Sequence, residues 1–423
     1  MLEVYAGRRP AGATRLTRNP DTEKQPLYYP KLDSIRCFAV LAVIFAHIFQ
    51  IWTWERDTFD LFPLGNAGVV AFFVLSGFLI TNLLLDEPPG QPLARSFKNF
   101  YMRRMLRIFP IYYLYLLVVF SFDLGAFKVE WSDPAAAPGG PLLTIRDTGA
   151  FPWLYLTNIW IYNHASWITF NSPLWTLSVE EQFYLVWPFM VLFLRGKPRA
   201  LAVIFSAVCA LSIGVRLYLF LALGYTNTTP HIEVFTFTNL DFLASGGLLA
   251  LAHRRYGESL GAYGVPLLIG GLAMYYLAVQ LTGRGPGLAA IYWTFGKFGM
   301  AVAAAGLVLY SLHSNPRFTP LHNPVTMHLG KISYGMYLYH NALVFHYREI
   351  SGLVGLNPAA RINYDPATNM LSDPAVPLLP KLLGVAVCLI LVIGVSELSY
   401  RIIERPALRL KNRFRSRPFP QPG

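Results

Sequence analysis

Long runs of apolar residues recur along most of the chain, and short polar segments separate them. A helix needs roughly 20 predominantly apolar residues to cross a bilayer, and most of these runs reach that length. The run at 151–163 is shorter and indicates a re-entrant or interfacial segment. We therefore expect an all-α, polytopic transmembrane bundle. The pattern predicts about ten spanning helices, at residues 33–53, 66–85, 100–122, 172–194, 200–222, 234–252, 260–281, 289–312, 327–349 and 381–403.

The charges between the runs are unequally distributed and predict the orientation of the bundle. If the N-terminus is inside, the loops on its side hold 25 Lys and Arg residues, whereas the opposite loops hold 7. Such an excess is typical of cytoplasmic loops, so we expect both termini in the cytoplasm. This distribution accounts for the net charge of +12, and no nucleic acid partner is required.

Three regions follow from this pattern. Residues 1–32 are polar and basic, contain no apolar core of a cleavable signal, and are interpreted as a flexible cytoplasmic segment. Residues 33–405 form the transmembrane domain, and residues 406–423 form a basic, proline-rich cytoplasmic tail. Attraction to anionic lipid is the simplest explanation for the charges of the tail.

The first predicted span contains two ionisable residues, Arg36 and His47. Eleven helical residues make about three full turns, so the two side chains share one face and lie roughly 16 Å apart along the axis. An ionisable group inside the membrane is costly and is therefore a functional candidate. The structural alternative is that Arg36 extends to the inner surface while His47 hydrogen-bonds a neighbouring helix.

The second and third spans carry two further candidates. Ser76 and Gly77 are small residues that favour close packing of the second span against its neighbours. Arg104 and Arg107, three residues apart at the start of the third span, project to one side. They either anchor the helix at the inner surface or form a fork for a phosphate group, and anchoring is the simpler explanation.

Two adjacent carboxylates, Glu180 and Glu181, interrupt the apolar fourth span. They point about 100° apart on a helix, so a given partner faces at most one of them. His340 lies in the ninth span within a tyrosine-rich segment, which offers it structural hydrogen bonds. Counting about 1.5 Å per residue places His47, His340 and Glu180 in one layer in the outer half of the membrane. The arginines of the first and third spans form a second layer at the inner face.

Six segments of the chain, in this order, resemble the acyltransferase family 3 membrane proteins. The resemblance covers about residues 33–406. The usual Gly after Leu-Asp is replaced by Ser34, and Val70 stands where many relatives have an acidic residue. The six segments are Leu-Asp-Ser-Ile-Arg (32–36) followed by His47, Phe-Phe-Val-Leu-Ser-Gly-Phe-Leu-Ile-Thr (72–81), Arg-x-x-Arg-x-x-Pro (104–110), Trp-Thr-Leu-Ser-Val-Glu-Glu-Gln-Phe-Tyr (175–184), Ile-Ser-Tyr-Gly-Met-Tyr-Leu-Tyr-His (332–340) and Ile-Glu-Arg-Pro (403–406).

The resemblance implies an O-acyltransferase in the plasma membrane, with residues 33–405 as its acyltransferase domain. The donor would be cytoplasmic acyl-CoA, usually acetyl-CoA, used as a co-substrate, with no permanently bound cofactor. The acceptor would be a hydroxyl of a saccharide, a lipid-linked glycan or a secondary metabolite. Some relatives carry an additional hydrolase-like domain, for which these 423 residues leave no room. The three cysteines lack the spacing of a metal site, and we expect no metal.

In the family, the arginine and histidine of the first span are thought essential, and this implication carries over to Arg36 and His47. The Arg-x-x-Arg pair, here Arg104 and Arg107, is associated with the acyl-CoA donor. We accordingly expect the three arginines to hold the phosphates and His47 to act as a general base. A covalent acyl-histidine stays open.

Several other residues complete the expected site. Glu180 or Glu181 is expected to orient His47 as the acid of a triad does. His340, Tyr184 and Ser76 are possible additional site residues. Five side chains of the outer segment are suited to stacking on sugar rings or to an interfacial aromatic belt. These are Trp153, Asn158, Trp160, His164 and Trp167.

Two other functional classes remain compatible with buried charge. A transporter or exporter of a polar solute needs intramembrane charges but no acyl-transfer chemistry. A glycosyltransferase with a lipid-phosphate donor would also use a basic layer at the inner face. Stabilisation by CoA would favour the acyltransferase over both alternatives.

Overall fold

A computed structural model describes residues 29–51, 64–88, 90–122, 145–168, 171–225, 230–282, 289–314, 323–345, 363–365, 370–372 and 378–414. These residues are almost entirely helical, as expected for an all-α bundle. The α-helices are α1 (Pro30–Ile51), α2 (Leu64–Leu85), α3 (Leu93–Phe122), α4 (Thr157–His164), α5 (Leu174–Phe193), α6 (Pro198–Leu221), α7 (His231–Val234), α8 (Leu240–Tyr256), α9 (Gly264–Thr282), α10 (Ala289–His313), α11 (Pro324–Lys331), α12 (Ser333–Phe345), α13 (Leu378–Ser399) and α14 (Arg405–Leu410).

Each of the ten predicted apolar runs contains helix within its described part, and six helical segments of the described residues are long and apolar enough to cross a membrane. One of the six, Leu240–Thr282, comprises α8, the 3-10 turn Gly257–Tyr263 and α9. The helices that carry most of the candidate chemistry, α1, α5 and α12, lie outside this set. Helix α12 has only 13 residues because a break at Ile332 separates it from α11. The six segments are Leu64–Leu85, Leu93–Ser121, Pro198–Leu221, Leu240–Thr282, Ala289–His313 and Leu383–Leu410.

Helix α2 lies at the centre of the bundle, packed between α1 and α8. Gly77 faces the backbone carbonyl of Leu243 in α8 so closely that a Cβ atom would overlap it. The expected close packing at Gly77 is therefore confirmed. Its neighbour Ser76 has a different role, because its hydroxyl hydrogen-bonds a carboxylate of α5.

A similar close approach joins α1 to α11. A Cβ atom on Gly330 would overlap the backbone carbonyl of Asp33, so only glycine allows the two helices to meet at this position. Ser34 adds a 3.0 Å hydrogen bond to Thr326 of α11. The start of α1, which carries Arg36, is thereby fixed against α11.

The short apolar run at 151–163 forms no spanning helix. It contains the 3-10 turn Pro152–Leu154 and the eight-residue helix α4, in agreement with the predicted re-entrant or interfacial segment. This segment packs along α5, where the amide of Gln182 donates to the carbonyl of Tyr155 at 3.0 Å. Helix α5 therefore begins beneath a covering layer of chain.

The end of the chain is helical further than the predicted tail boundary at residue 406. After α13, a π-helical turn at Tyr400–Glu404 leads into α14, and a 3-10 turn follows at Lys411–Phe414. Both α14 and this last turn pack against α3. Elsewhere, an antiparallel pair of short strands, Asn363–Asp365 and Met370–Ser372, is the described part of the predicted 350–380 loop.

Candidate active site

His47 and His340 form a hydrogen-bonded pair between α1 and α12. Nδ1 of His47 lies 3.3 Å from Nε2 of His340 and 2.9 Å from the carbonyl oxygen of Val43. Nδ1 of His340 lies 2.6 Å from the carbonyl oxygen of Tyr337. His340 is completely buried, whereas His47 is partly exposed. His47 is therefore the member of the pair that a substrate can reach.

The hydrogen bonds assign the tautomer of both rings. A carbonyl oxygen only accepts, so Nδ1 of His340 carries the proton that it donates to Tyr337. In the neutral ring, Nε2 of His340 then has a lone pair that accepts from Nδ1 of His47. This leaves the lone pair of His47 on Nε2. A base positioned in this way is the arrangement that general base catalysis requires.

Tyr337 connects the histidine pair to α5. Its ring centroid lies 5.5 Å from that of His340, and its hydroxyl is 2.6 Å from the hydroxyl of Thr176. Phe72 of α2 packs edge-on against the same tyrosine ring, with centroids 5.9 Å apart. The predicted tyrosine cluster around His340 thus holds this histidine between three helices.

A second polar cluster contains three of the predicted residues. Ser76 donates to Oε1 of Glu180 at 2.7 Å, and the hydroxyl of Tyr184 lies 3.2 Å from both Oε2 of Glu180 and the oxygen of Ser76. Glu181 points elsewhere, as the helical spacing predicts, and its buried Oε1 has no hydrogen-bond partner among the described residues.

The expected partner of His47 was a glutamate of α5, and the structure places a different residue there. The described hydrogen bonds of Glu180 go to Ser76 and Tyr184, and those of His47 go to Val43 and His340. The acid of a triad is replaced by a second imidazole.

Glu180 connects the two predicted layers. It lies within electrostatic range of Arg104 and Arg107 and also of Tyr337, the tyrosine that packs beside His340. The outer segment covers the start of α5, because Ser178 accepts from the backbone N–H of Thr157 at 3.2 Å.

The structure brings together the three arginines expected at the donor site. Arg36 forms a 2.5 Å ion pair with Asp33 and lies within electrostatic range of Arg107. Arg104 lies over the rings of Tyr184 and Phe100, at 5.5 and 5.9 Å from their centroids. Its buried Nε has no hydrogen-bond partner within the described chain.

Arg107 shares the surplus of charge. Neither Arg104 nor Arg107 forms an ion pair in the part of the chain that the structure describes, whereas the adjacent Arg103 pairs with Glu87 at 2.8 Å. Positive charge without a counter-ion, partly removed from water, favours the binding of an anion.

A third network of charged and polar side chains, from α2, α6, α7, α8 and α10, was not predicted from the sequence. Arg216 contacts both carboxylate oxygens of Asp241, at 2.9 and 2.6 Å. The Asn66 amide bridges Glu233 (2.8 Å) and Lys297 (3.3 Å) when its nitrogen faces the carboxylate. Three side chains of this network, Arg216, Glu233 and Lys297, line a small pocket. The cations and anions of the network balance each other, so it links five helices without requiring a ligand.

Some of the five side chains suggested for sugar stacking pack inside the protein, and others are exposed. The Trp160 ring is buried and stacks on His164 with centroids 4.2 Å apart, and Asn158 is buried and bonded to Thr236. Trp153 packs against Tyr113, whereas Trp167 is 41% exposed. Of the five residues suggested for sugar stacking, Trp167 and His164 are the exposed ones.

Comparison with known proteins identifies relatives that align with 40–75% of this chain. O-acetyltransferase OatA of Staphylococcus aureus (strain NCTC 8325 / PS 47) is 27% identical over 341 residues, which are 75% of this chain and 51% of that protein. Peptidoglycan O-acetyltransferase OatA of Listeria monocytogenes is 35% identical over 177 residues, 40% of this chain and 25% of that protein. The putative peptidoglycan O-acetyltransferase YrhL of Bacillus subtilis is 36% identical over 188 residues, 42% of this chain and 26% of that protein.

These alignments cover about half the length of the curated relatives or less. No solved structure matches the chain. The model of the acyltransferase domain of family 3 matches residues 29–399, which include every residue of the histidine pair, the carboxylate cluster and the arginine layer. The chain therefore belongs to acyltransferase family 3.

Proposed function

We propose that this chain is a membrane O-acetyltransferase that moves an acetyl group from cytoplasmic acetyl-CoA to a hydroxyl of a glycan. The observation that carries the proposal is the coexistence, in one helical core, of an accessible base-competent histidine and a layer of three arginines, of which Arg104 and Arg107 form no ion pair among the described residues. In this proposal about ten helices span the plasma membrane and both termini are cytoplasmic, which places the arginine layer at the donor side.

The donor binds through its phosphates. Arg104 and Arg107 supply two unpaired guanidinium groups, which match phosphate oxygens in charge and geometry. Arg36 is partly neutralised by Asp33 and contributes less charge, but the ion pair fixes its direction. The flexible arm of CoA then extends along the face of α1 that Arg36 shares with His47, towards the histidine pair.

The transfer itself needs one proton acceptor. Nε2 of His47 removes the proton of the acceptor hydroxyl as the oxygen attacks the thioester carbonyl. The new C–O bond forms, the C–S bond breaks, and the proton on His47 passes to the departing CoA thiolate. The carbonyl of Val43 and Nε2 of His340 both face Nδ1 of His47 and keep its lone pair on Nε2, and the contact with His340 accepts part of the positive charge.

The Glu180 cluster has a positioning role in this scheme. Its carboxylate is held by Ser76 and Tyr184 and lies near the charges of Arg104 and Arg107. It therefore orients the arginines while leaving them a surplus of positive charge. The proposal thus separates two roles along the membrane normal: anion binding on the donor side and proton transfer on the acceptor side.

The acceptor class follows from the names of the relatives. The Listeria monocytogenes relative is named a peptidoglycan O-acetyltransferase, and this chain would act on a hydroxyl of a similar glycan. Trp167, with its exposed ring on the outer segment, is suited to stack on a sugar at that side.

The test is acyl transfer by the purified protein in detergent with radiolabelled acetyl-CoA and peptidoglycan fragments. Wild type should release CoA and label the glycan, and His47→Ala should lose about 10²–10⁴-fold of this rate. His313→Ala is the matched control, because His313 bonds the carbonyl of Leu309 in the same way but lies in α10, away from the site. Full turnover by His47→Ala would overturn the mechanism. Absence of both turnover and stabilisation by CoA in wild type would favour a transporter.

A further inference from the structure

The end of the chain lies against the arginine layer. After the π-helical turn Tyr400–Glu404, α14 and the 3-10 turn Lys411–Phe414 pack on α3, the helix that carries Arg104 and Arg107. Glu404 is buried, and Arg107 is the cation that stabilises its charge. The chain end is therefore part of the same structure as the arginine layer and not a free tail.

One cation of this segment differs from its neighbours. Arg405, Arg409 and Arg413 are exposed, whereas Lys411 is half-buried. Four arginines lie within electrostatic range of Lys411, and none of the described residues offers it an anionic partner. These arginines are Arg107, Arg104, Arg103 and Arg36.

This arrangement is unfavourable without a ligand. Burial, and after it the charges of the arginines, lowers the pKa of Lys411 to about 7. The simple explanation for a basic tail, attraction to anionic lipid, fits the exposed arginines of the segment because they face outwards. It does not explain why a lysine turns towards other cations. An anion bound among Lys411, Arg104 and Arg107 would remove the repulsion.

We propose that Lys411 is a donor-binding residue, and that it holds the 3′-phosphate of acyl-CoA while Arg104 and Arg107 hold the diphosphate. This inference rests on the proposed function, because it takes acyl-CoA as the donor. The assignment follows from position along the membrane. Lys411 lies seven residues beyond Glu404, which is about 10 Å of helix further from the core, and Glu404 is adjacent to Arg107.

The chemistry of CoA fits this order. Its thioester is at one end, the diphosphate is in the middle, and the 3′-phosphate is on the ribose at the far end. With the thioester near His47, the diphosphate reaches the arginines first and the 3′-phosphate reaches the more cytoplasmic Lys411. In this arrangement the chain end covers the cytoplasmic side of the donor site. Lys411 then favours CoA over nucleotides that lack the 3′-phosphate.

The experiment compares CoA with 3′-dephospho-CoA, by equilibrium binding to the full chain purified in a neutral detergent. Wild type should bind CoA about 10- to 100-fold more tightly than dephospho-CoA, the range for a hydrogen bond to a charged group. Lys411→Met should weaken CoA binding to the level of dephospho-CoA and leave dephospho-CoA binding unchanged. Lys411→Arg should retain most of the preference.

Arg413→Gln is the matched control, because it removes one positive charge from the same turn at an exposed position. It should keep the wild-type preference for CoA. A thermal unfolding curve of each variant without ligand shows whether the fold is intact, and Lys411→Met should not unfold at a lower temperature than wild type, since it removes an unpaired charge.

The outcomes separate the two proposals. If wild type binds CoA but Lys411→Met keeps the wild-type preference, or if wild type shows no preference, the role of Lys411 is refuted and the donor proposal stands. If wild type binds neither nucleotide, the donor proposal itself is refuted. If Lys411→Met loses binding to phosphatidylglycerol vesicles but not to CoA, the anion is a lipid headgroup and the proposal is overturned.

Discussion

Nε2 of His340 lies 3.3 Å from Nδ1 of His47, although 293 residues separate the two in the chain. The contact joins a buried imidazole to an accessible one. Together with the carbonyl of Val43, 2.9 Å from the same Nδ1, it leaves Nε2 of His47 free to take a proton. In a catalytic triad a carboxylate orients the base and stabilises its positive charge. Here the second imidazole takes this position, and it adds no negative charge beside the base in the apolar core.

Loss of His340 should therefore reduce turnover and leave donor binding intact. We expect His340→Ala to lower kcat by less than the roughly 10²–10⁴-fold expected for loss of the base itself, because the carbonyl of Val43 still keeps the lone pair of His47 on Nε2 while the second imidazole beside Nδ1 is lost. The KM for acetyl-CoA should stay within about twofold of wild type. Steady-state kinetics with both substrates varied checks this prediction. If the loss of kcat were accompanied by a matching loss of thermal stability, the role of His340 would be purely structural.

The two glutamates of α5 should behave differently. Glu180→Gln should raise the KM for acetyl-CoA by about tenfold, because it removes the charge that orients Arg104 and Arg107 and weakens the bonds with Ser76 and Tyr184. Glu181→Gln is the comparison on the next residue. The Glu181 carboxylate also lies within electrostatic range of Arg104, but its buried Oε1 has no hydrogen-bond partner among the described residues. We expect Glu181→Gln to have the smaller effect on KM, because no hydrogen bond holds that oxygen in place. The reverse order in donor titrations would contradict the arrangement of the site.

The contact between α1 and α11 should be sensitive to a single methyl group. Gly330→Ala places a Cβ atom against the backbone of Asp33 and should destabilise the fold by about 1–3 kcal/mol, as overpacking does. Gly270→Ala in α9 is the control, because its Cβ atom meets nothing within 4 Å, and alanine in an open helical position stabilises by about 0.5–1 kcal/mol. Thermal unfolding in detergent compares the two. Equal stability of the two variants would show that α11 can move away from α1.

Donor affinity should depend on pH through Lys411. Its pKa of about 7 in the ligand-free protein means that the ammonium loses its proton as the pH rises through neutrality. A bound phosphate favours the protonated form, so binding takes up a proton above pH 7 and the affinity falls, by up to about tenfold per pH unit. Arg103, Arg104 and Arg107 on α3 and Arg36 on α1 face the lysine and stay charged in this range.

Titration of CoA binding from pH 6 to pH 9 measures the slope. It should be smaller in Lys411→Met and smaller for dephospho-CoA, which lacks the phosphate that Lys411 contacts. A slope that is the same in wild type and Lys411→Met would assign the pH dependence to another group.

The amino-acid sequence by itself determined the class of the protein and the chemistry available to it. Helices that cross a bilayer have a narrow range of lengths, and charge within them is energetically costly. The apolar runs and the few ionisable residues within them could therefore be recognised without a structure. Arg36, Arg104 and Arg107 came together as expected, because the excess of positive charge in the inner loops places all three near one end of their helices.

Only the tertiary structure decided which of these groups face one another. The partner of His47 is His340 and not a glutamate, since the contact depends on how α1 and α12 pack, over a separation that no local pattern encodes. Glu180 connects the two predicted layers, because the packing of α5 brings it near both the arginines and Tyr337. Lys411, one of many basic residues near the chain end, is distinguished by the packing of its turn on α3. Spacing along a helix determines the direction of a side chain, but the neighbours it meets depend on the arrangement of the whole bundle.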